Sequence, residues 1–364
     1  MPFKRLLLLA QSACLLLVGC GKQTEAPAAP VVSEASSIKP KPESHPPPAS
    51  APVFTLKDFD SNSTDHNATR KAIGAALGKS PAELTQEDLS KVEKLDLFAV
   101  GITDISPVAA LTGLKRLNIF GNNISDLTAL TGLTLLEVLY ASENKIADLT
   151  PLAGLTRLRV LHLRKNFVAD LTPLAGLTAT LSLDLERNRV MDIAPLSNMH
   201  NLNWLALSIN QVSDVSALAG THNLRHLYLE RNRLTSDTDL AAFSKLRFLK
   251  SLSIRNNRVS DLSPLAELEK MLWLELDNNQ VYDLSPLAGM KELKKLYMEN
   301  NRVRILEPLL ELTSLEIVQG KGNPASSSET LKLVKALPKC SIKIGSFNKV
   351  PTRRNRKPAP PKKK

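Results

Sequence analysis

The chain has little of what small secreted domains and most enzymes are built from. Its three cysteines, Cys14, Cys20 and Cys340, have neither the number nor the spacing for a disulfide framework or a zinc site. Aromatic residues make up only 4% of the sequence, too few for the sandwich or enzyme-like cores that lean on aromatic anchors. No serine elbow, no His-Glu-x-x-His helix and no isolated acid pair stands out from the pattern described below. Gly74-Ala-Ala-Leu-Gly78-Lys79-Ser80 looks like a phosphate loop, but it has one residue too few between its glycines and falls within a predicted helix. His222 and His226 have the i,i+4 spacing of a metal pair, yet they straddle a repeat junction and would not share a helix face. No catalytic residue, metal or cofactor is therefore expected.

Leucine is what the chain has in excess, 65 residues of 364. From Val92 onward it recurs in a fixed frame. Leu114-x-x-Leu117-x-Ile119-x-x-Asn122-x-Ile124 is followed 22 residues later by Leu136-x-x-Leu139-x-Ala141-x-x-Asn144-x-Ile146. The asparagine returns at Asn122, Asn144, Asn166, Asn188, Asn210, Asn232, Asn257, Asn279, Asn301 and Asn323. Every step is 22 residues except that from Asn232 to Asn257, where three extra residues fall around Asp237-Thr238-Asp239. Val100 stands where the first repeat would carry its asparagine. The template LxxLxLxxNxL is that of the leucine-rich repeat. It predicts an α/β solenoid, a horseshoe of ten full repeats and a partial eleventh over residues 92–323, lined on its concave side by parallel strands. Each asparagine turns the chain, and its amide can satisfy backbone groups of adjacent repeats. Each convex side should open with a short helical or 3₁₀ turn at Asp-Leu-Ser/Thr-Pro-Leu, the Ser or Thr acting as N-cap ahead of proline.

Both ends of such a stack need caps. Residues 54–91 supply two predicted helices, Asn67 to Leu77 and Thr85 to Leu89. Residues 324–348 supply a closing helix from Ser328 to Leu337 and a short strand, Ser341 to Ile344, with Cys340 read as a small buried residue. The 22-residue repeat with Asp-Leu-Ser/Thr-Pro-Leu resembles the internalin-like family of bacteria, and also the phosphatase-regulatory leucine-rich-repeat proteins. The flanks Ala75-Ala-Leu-Gly-Lys79 and Lys335-Ala-Leu-Pro-Lys-Cys340 are similar to the caps of bacterial members. The resemblance implies protein binding without enzymatic activity, and no particular ligand.

The first nineteen residues read as a secretory leader, with Lys4 and Arg5 ahead of an apolar stretch too short to span a membrane. Leu17-Val18-Gly19-Cys20 resembles the bacterial lipobox, which implies lipidation at Cys20 and anchoring in the cell envelope. Gly21, in place of Asp, implies the outer membrane if the source is Gram-negative. Residues 20–53 hold eight prolines and few large apolar side chains, so they are expected to be a disordered tether. The sequons at Asn62, Asn67 and Asn123 are then coincidental. The formal charge of +11 falls to +9 when Lys4 and Arg5 leave with the leader, and eight of those charges lie in residues 349–364, a basic tail without an acid.

Within the repeat, residues flanking the inward leucines point into the concave face. Tyr140, His162, Tyr228, Glu275 and Tyr297 fall at its central position, with Trp204, His226 and Trp273 two residues earlier. Exposed aromatics are the usual anchors of protein interfaces, so these eight are the expected partner-binding residues. The bland alternative is that β surfaces favour aromatics for packing alone. An acidic row, Glu186, Glu230, Asp277 and Glu299, is expected to pair laterally with Arg189, Arg233, Arg258 and Arg302. A face of mixed sign argues against nucleic acid. Two functions stay open: a membrane-anchored scaffold that binds another protein, and an envelope-structural protein whose basic tail holds an anionic cell-wall or lipopolysaccharide polymer.

Overall fold

Each 22-residue unit has room for one strand and one turn, and stacking such units gives a single sheet. A computed structural model describes residues 55–60, 62–235, 240–345 and 347–349. The leader, Cys20, the tether, the insertion at Asp237-Thr238-Asp239 and the tail beyond Lys349 lie outside the described residues. The sheet has thirteen strands in sequence order: β1 (Lys94–Asp96), β2 (Arg116–Asn118), β3 (Val138–Tyr140), β4 (Val160–His162), β5 (Ser182–Asp184), β6 (Trp204–Ala206), β7 (His226–Tyr228), β8 (Ser251–Ser253), β9 (Trp273–Glu275), β10 (Lys295–Tyr297), β11 (Ile317–Gly320), β12 (Ser341–Ile344) and β13 (Phe347–Lys349). The first twelve run parallel, and β13 returns antiparallel, pairing Ile342 with Lys349. The C-terminal cap therefore reaches one residue beyond the boundary expected from sequence.

The inward residues of β1–β10 are leucines with almost no exposure, such as Leu139, Leu161, Leu183, Leu205 and Leu227, and Val318 and Ile342 continue the row on β11 and β12. Truncating a residue buried this fully to alanine typically costs about 2–5 kcal/mol. The asparagines stitch the repeats together. Asn144 Nδ2 donates to the carbonyls of Ile119 (2.8 Å) and Ala141 (3.2 Å), while its Oδ1 accepts from the N–H of Ile124 (3.0 Å). The same three contacts recur at Asn210, to Leu185, Leu207 and Val190, and at the other ladder positions. One side chain thus satisfies backbone groups of two repeats that no strand ladder reaches. The residue before each ladder asparagine has a positive φ, including Glu143, Lys165, Arg187, Ile209 and Arg231.

The convex turns are 3₁₀ helices, as expected, but their caps differ from the expectation. In Thr150–Leu152 the N-cap position is Leu149, which makes no side-chain bond, and Thr150 is already inside the helix. The cap is supplied by Asp148, whose Oδ1 accepts from the Thr150 N–H at 2.8 Å. Asp170, Asp261 and Asp283 do the same for Thr172, Ser263 and Ser285. Aspartate two residues upstream reaches the first free N–H, so a Ser or Thr hydroxyl is not needed there.

At the N-terminal end, α1 (Thr64–Leu77) is capped by Ser63 and begins three residues earlier than expected, and α2 (Gln86–Lys91) opens with a Thr85–Asp88 capping box. Lys79 of the phosphate-loop look-alike is bonded to Asp88 at 2.8 Å, and that bond draws the Asp88 carboxyl down to about 2. Val100 is half exposed and makes no ladder contact; Asp65 instead ties cap to repeat by accepting from the N–H groups of Thr103 and Asp104. At the other end α3 (Ser327–Ala336) is capped by Ser326, and Cys340 is buried.

Candidate functional site

Strand register decides which outward side chains meet. His162 on β4 aligns with Asp184 on β5, Trp204 on β6 with His226 on β7, and Tyr228 with Ser253 on β8 and then Glu275 on β9. All eight residues expected from sequence lie on this face and are half-buried.

Four of them form one run. The ring of Tyr140 meets that of His162 edge-on at 5.2 Å, His162 lies 5.9 Å from Trp204, and Trp204 lies 5.7 Å from Tyr228. The run steps over β5 because Ser182, the outward residue beneath it, is small; the His162 imidazole Nε2 rests 3.1 Å from the Ser182 hydroxyl. Burial holds the His162 imidazole down at about 4, so it is neutral near pH 7. Burial likewise pushes the Asp184 carboxyl up to about 7, and the Tyr228 phenol up to about 12, the latter helped by Glu275. Trp273 and Tyr297 form a second aromatic pair at 6.2 Å, and the Lys295 ammonium sits 5.0 Å above the Trp273 ring. His226 is not part of either run.

The acidic row is present, but its partners are not the expected ones. Glu186 pairs with Arg164 at 2.9 Å and with Arg187 at 3.5 Å, and Asp277 pairs with Arg255 at 3.0 Å. Arg189 instead stacks on Phe167 at 4.8 Å, and Arg233 donates to the Gln211 side chain. Arg258 and Arg302 form no ion pair among the described residues. The turn arginines follow the asparagine, their N–H groups bonded to the carbonyls of Val168, Val212, Leu234 and Val281 in the preceding repeat, whereas Arg164 and Arg255 come two residues after β4 and β8, beside the acids they pair with. Burial raises the carboxyls of Glu186, Glu275 and Asp277 above their ordinary range.

One feature lay beyond the reach of sequence pattern. α1 leans against the start of the sheet and leaves an open cleft of about 680 Å³, lined by Ala72, Ala76 and Leu77 on one side and by Lys94, Arg116 and Tyr140 on the other. The aromatic run begins at its rim. Its only signal in the sequence was the small apolar face of α1, which reads equally well as cap packing. Among the described residues no group of three or more His, Cys, Asp or Glu is arranged to hold a metal.

These features define a leucine-rich-repeat solenoid. The leucine-rich-repeat family, described as "Leucine Rich repeats (2 copies)", matches residues 134–176 and 222–267. The internalin InlF of Listeria monocytogenes is similar at 31% identity and a TM-score of 0.66, over 76% of this chain and 87% of that one. Internalin C2 of the same organism is 32% identical, with a TM-score of 0.51, over 64% and 92%. The chain belongs to the bacterial internalin-like leucine-rich-repeat proteins. A plant peptide hormone receptor, RGFR1, solved in complex with RGF2, shares the fold at 20% identity and a TM-score of 0.55, over 61% of this chain and 38% of that one. Among curated proteins nothing matches.

Proposed function

We propose that this protein is a lipid-anchored, non-enzymatic scaffold of the cell envelope, tethered at Cys20, that captures another protein on its concave face. The observation that carries the reading is the run Tyr140–His162–Trp204–Tyr228, rings 5.2–5.9 Å apart and each half-exposed among the described residues. Packing between neighbouring strands would account for isolated aromatics. It does not account for a run across five strands kept half-exposed, because half-exposed aromatic surface stabilises fully only when a partner covers it. The receptor fold relative, solved with RGF2 bound, supports the same use of the architecture. In Gram-negative bacteria, Gly21 after the lipidated cysteine would send the protein to the outer membrane.

The test is the triple variant Trp204→Ala, Tyr228→Ala, Trp273→Ala, compared with the unaltered chain in affinity purification from crosslinked cells. Loss of the co-purifying protein with an unchanged far-ultraviolet spectrum is expected; retained capture by the folded variant sinks the reading. Blocking lipoprotein signal processing should leave an uncleaved precursor, and normal maturation would remove Cys20 as the anchor. The second reading, a grip on anionic envelope polymer, is favoured by one observation, the eight cations of residues 349–364. Deleting residues 350–364, which spares β13, from a non-lipidated form separates the two. Unchanged envelope association leaves the concave face as the binding element.

A further inference from the structure

The concave face at β7–β9 is built for a cation, an inference that rests on the scaffold reading and names the chemistry of what is captured. The outward residues of β8 are Ser251 and Ser253, both small and buried between their neighbours. His226 and Tyr228 stand on one side of them, and Trp273 and Glu275 on the other, at a separation of about two strand spacings, roughly 10 Å. The Ser253 hydroxyl donates to Glu230 at 3.0 Å and also lies in bonding reach of Glu275. A hydroxyl has one proton, so it cannot satisfy both carboxylates.

Positive charge on this part of the face is short. Glu230, Glu275, Asp277 and Glu299 are answered by Arg255, whose Nε is 3.0 Å from Asp277 and whose Nη1 is 3.9 Å from Glu275. Neither Glu230 nor Glu299 forms an ion pair among the described residues. Three further observations point to a ligand. Lys295 over Trp273 shows that a ring here accepts a cation on its face. The indole N–H of Trp273 is shielded from solvent and has no acceptor, a situation that costs about 1–3 kcal/mol and that a carbonyl inserted beside the ring would relieve. Burial and the proximity of Glu230 both disfavour charge on Glu275 and Asp277, and an added cation would reverse that.

We propose that this patch binds a basic segment of a partner polypeptide, an arginine or lysine side chain entering between Tyr228 and Trp273 onto Glu230 and Glu275 while the segment's backbone runs along the aromatic face. A metal ion fits less well, since the described residues hold no three-ligand cluster. A peptide supplies both missing groups, the cation and the carbonyl.

The experiment titrates a labelled hexa-arginine peptide into the full chain, with hexaglutamate as control. Binding that weakens about tenfold in Glu230→Gln/Glu275→Gln, is unchanged in Glu269→Gln on the outer surface, and falls as salt rises, is expected. The double variant keeps shape and hydrogen bonding and loses buried charge, so it should unfold no earlier than the unaltered chain. Equal binding by the double variant, or none by the unaltered chain, overturns the proposal. Affinity that rises about tenfold on removing residues 350–364 would make the chain's own tail the occupant, and would overturn a partner segment in that role. If hexa-arginine fails while the aromatic triple variant still loses its partner, the scaffold reading stands and only this inference falls.

Discussion

On β7 and just beyond it, Leu227 and Leu229 are fully buried on the inner side, while Tyr228 and Glu230 on the outer side remain half-exposed. The inner row is nearly the same in every repeat: leucine or a close substitute, followed by asparagine in all but the first, where Val100 stands. The outer row changes at every step, from Tyr140 to His162, Asp184, Ala206 and Tyr228. A solenoid's inner row is held constant by packing against identical neighbours, so each deviation is paid for in stability. The outer row escapes that demand and is free to encode a partner. The two rows should therefore separate cleanly under substitution, one governing stability and the other binding.

The largest effect is expected in the ladder. Asn210→Ala leaves the buried N–H of Val190 without its acceptor and removes one of the two amide donors at each of the Leu185 and Leu207 carbonyls, which keep Asn188 and Asn232. Destabilisation of roughly 3 kcal/mol is expected in urea unfolding, with the partner-binding residues untouched. Glu275→Gln on the outer row should change the same midpoint by less than about 0.5 kcal/mol. Comparable losses from the two would erase the distinction between rows.

Asp184 sharpens the comparison, because it is an outer-row residue that has become buried. Its carboxyl titrates near 7 when folded, against 3.8 when free, so the native state holds the proton more tightly. Its contribution to stability is full below about 4 and is lost as pH rises through 7. Asp184→Asn keeps the acceptor for the Glu186 N–H and removes the charge. It should raise stability at pH 8 by about 1 kcal/mol, with the gain fading to nothing near pH 4. His162 works in the opposite sense. Its imidazole titrates near 4 when folded, against 6.5 when free, so the unfolded chain binds the proton first and stability falls as pH drops from 6.5 toward 4. His162→Gln should flatten that acid limb in thermal melts across the range. A limb unchanged by the substitution would mean that other groups cause it.

The inner row was fully legible because a 22-residue period fixes every buried position, and the outward residues followed from the alternation within each strand. What escaped was whatever depends on distances between repeats. The four-ring run needed β5 to carry a small residue at Ser182, and the sequence lists that serine without saying that rings would close over it. The acidic row was paired with the wrong arginines because Arg189, Arg233, Arg258 and Arg302 follow the asparagine, where the chain bonds back to the preceding repeat. The capping role passed to Asp148 and its equivalents because an Asx turn reaches the same N–H as a Ser or Thr cap, and the motif contains both. The cleft beside α1 depends on how a cap packs, which periodicity does not encode.

The smallest expected gain in stability tests a position that neither row predicts. The residue before each ladder asparagine must take a left-handed conformation, and most repeats place a polar residue, glycine or asparagine there, as at Asn256, Asn278, Asn300 and Gly322. Ile209 is the exception, a β-branched residue at φ 59°. Branching at Cβ brings its side chain against the backbone in this region, a cost of about 1–2 kcal/mol that asparagine largely avoids. Some of that gain is offset by the apolar contact the half-buried isoleucine makes. Ile209→Asn should therefore stabilise the chain by about 0.5–1 kcal/mol in the urea midpoint and leave partner capture unchanged. A loss of stability would show that Ile209 belongs to the packed row after all. The division between rows would then run one residue closer to the ladder than the strands suggest.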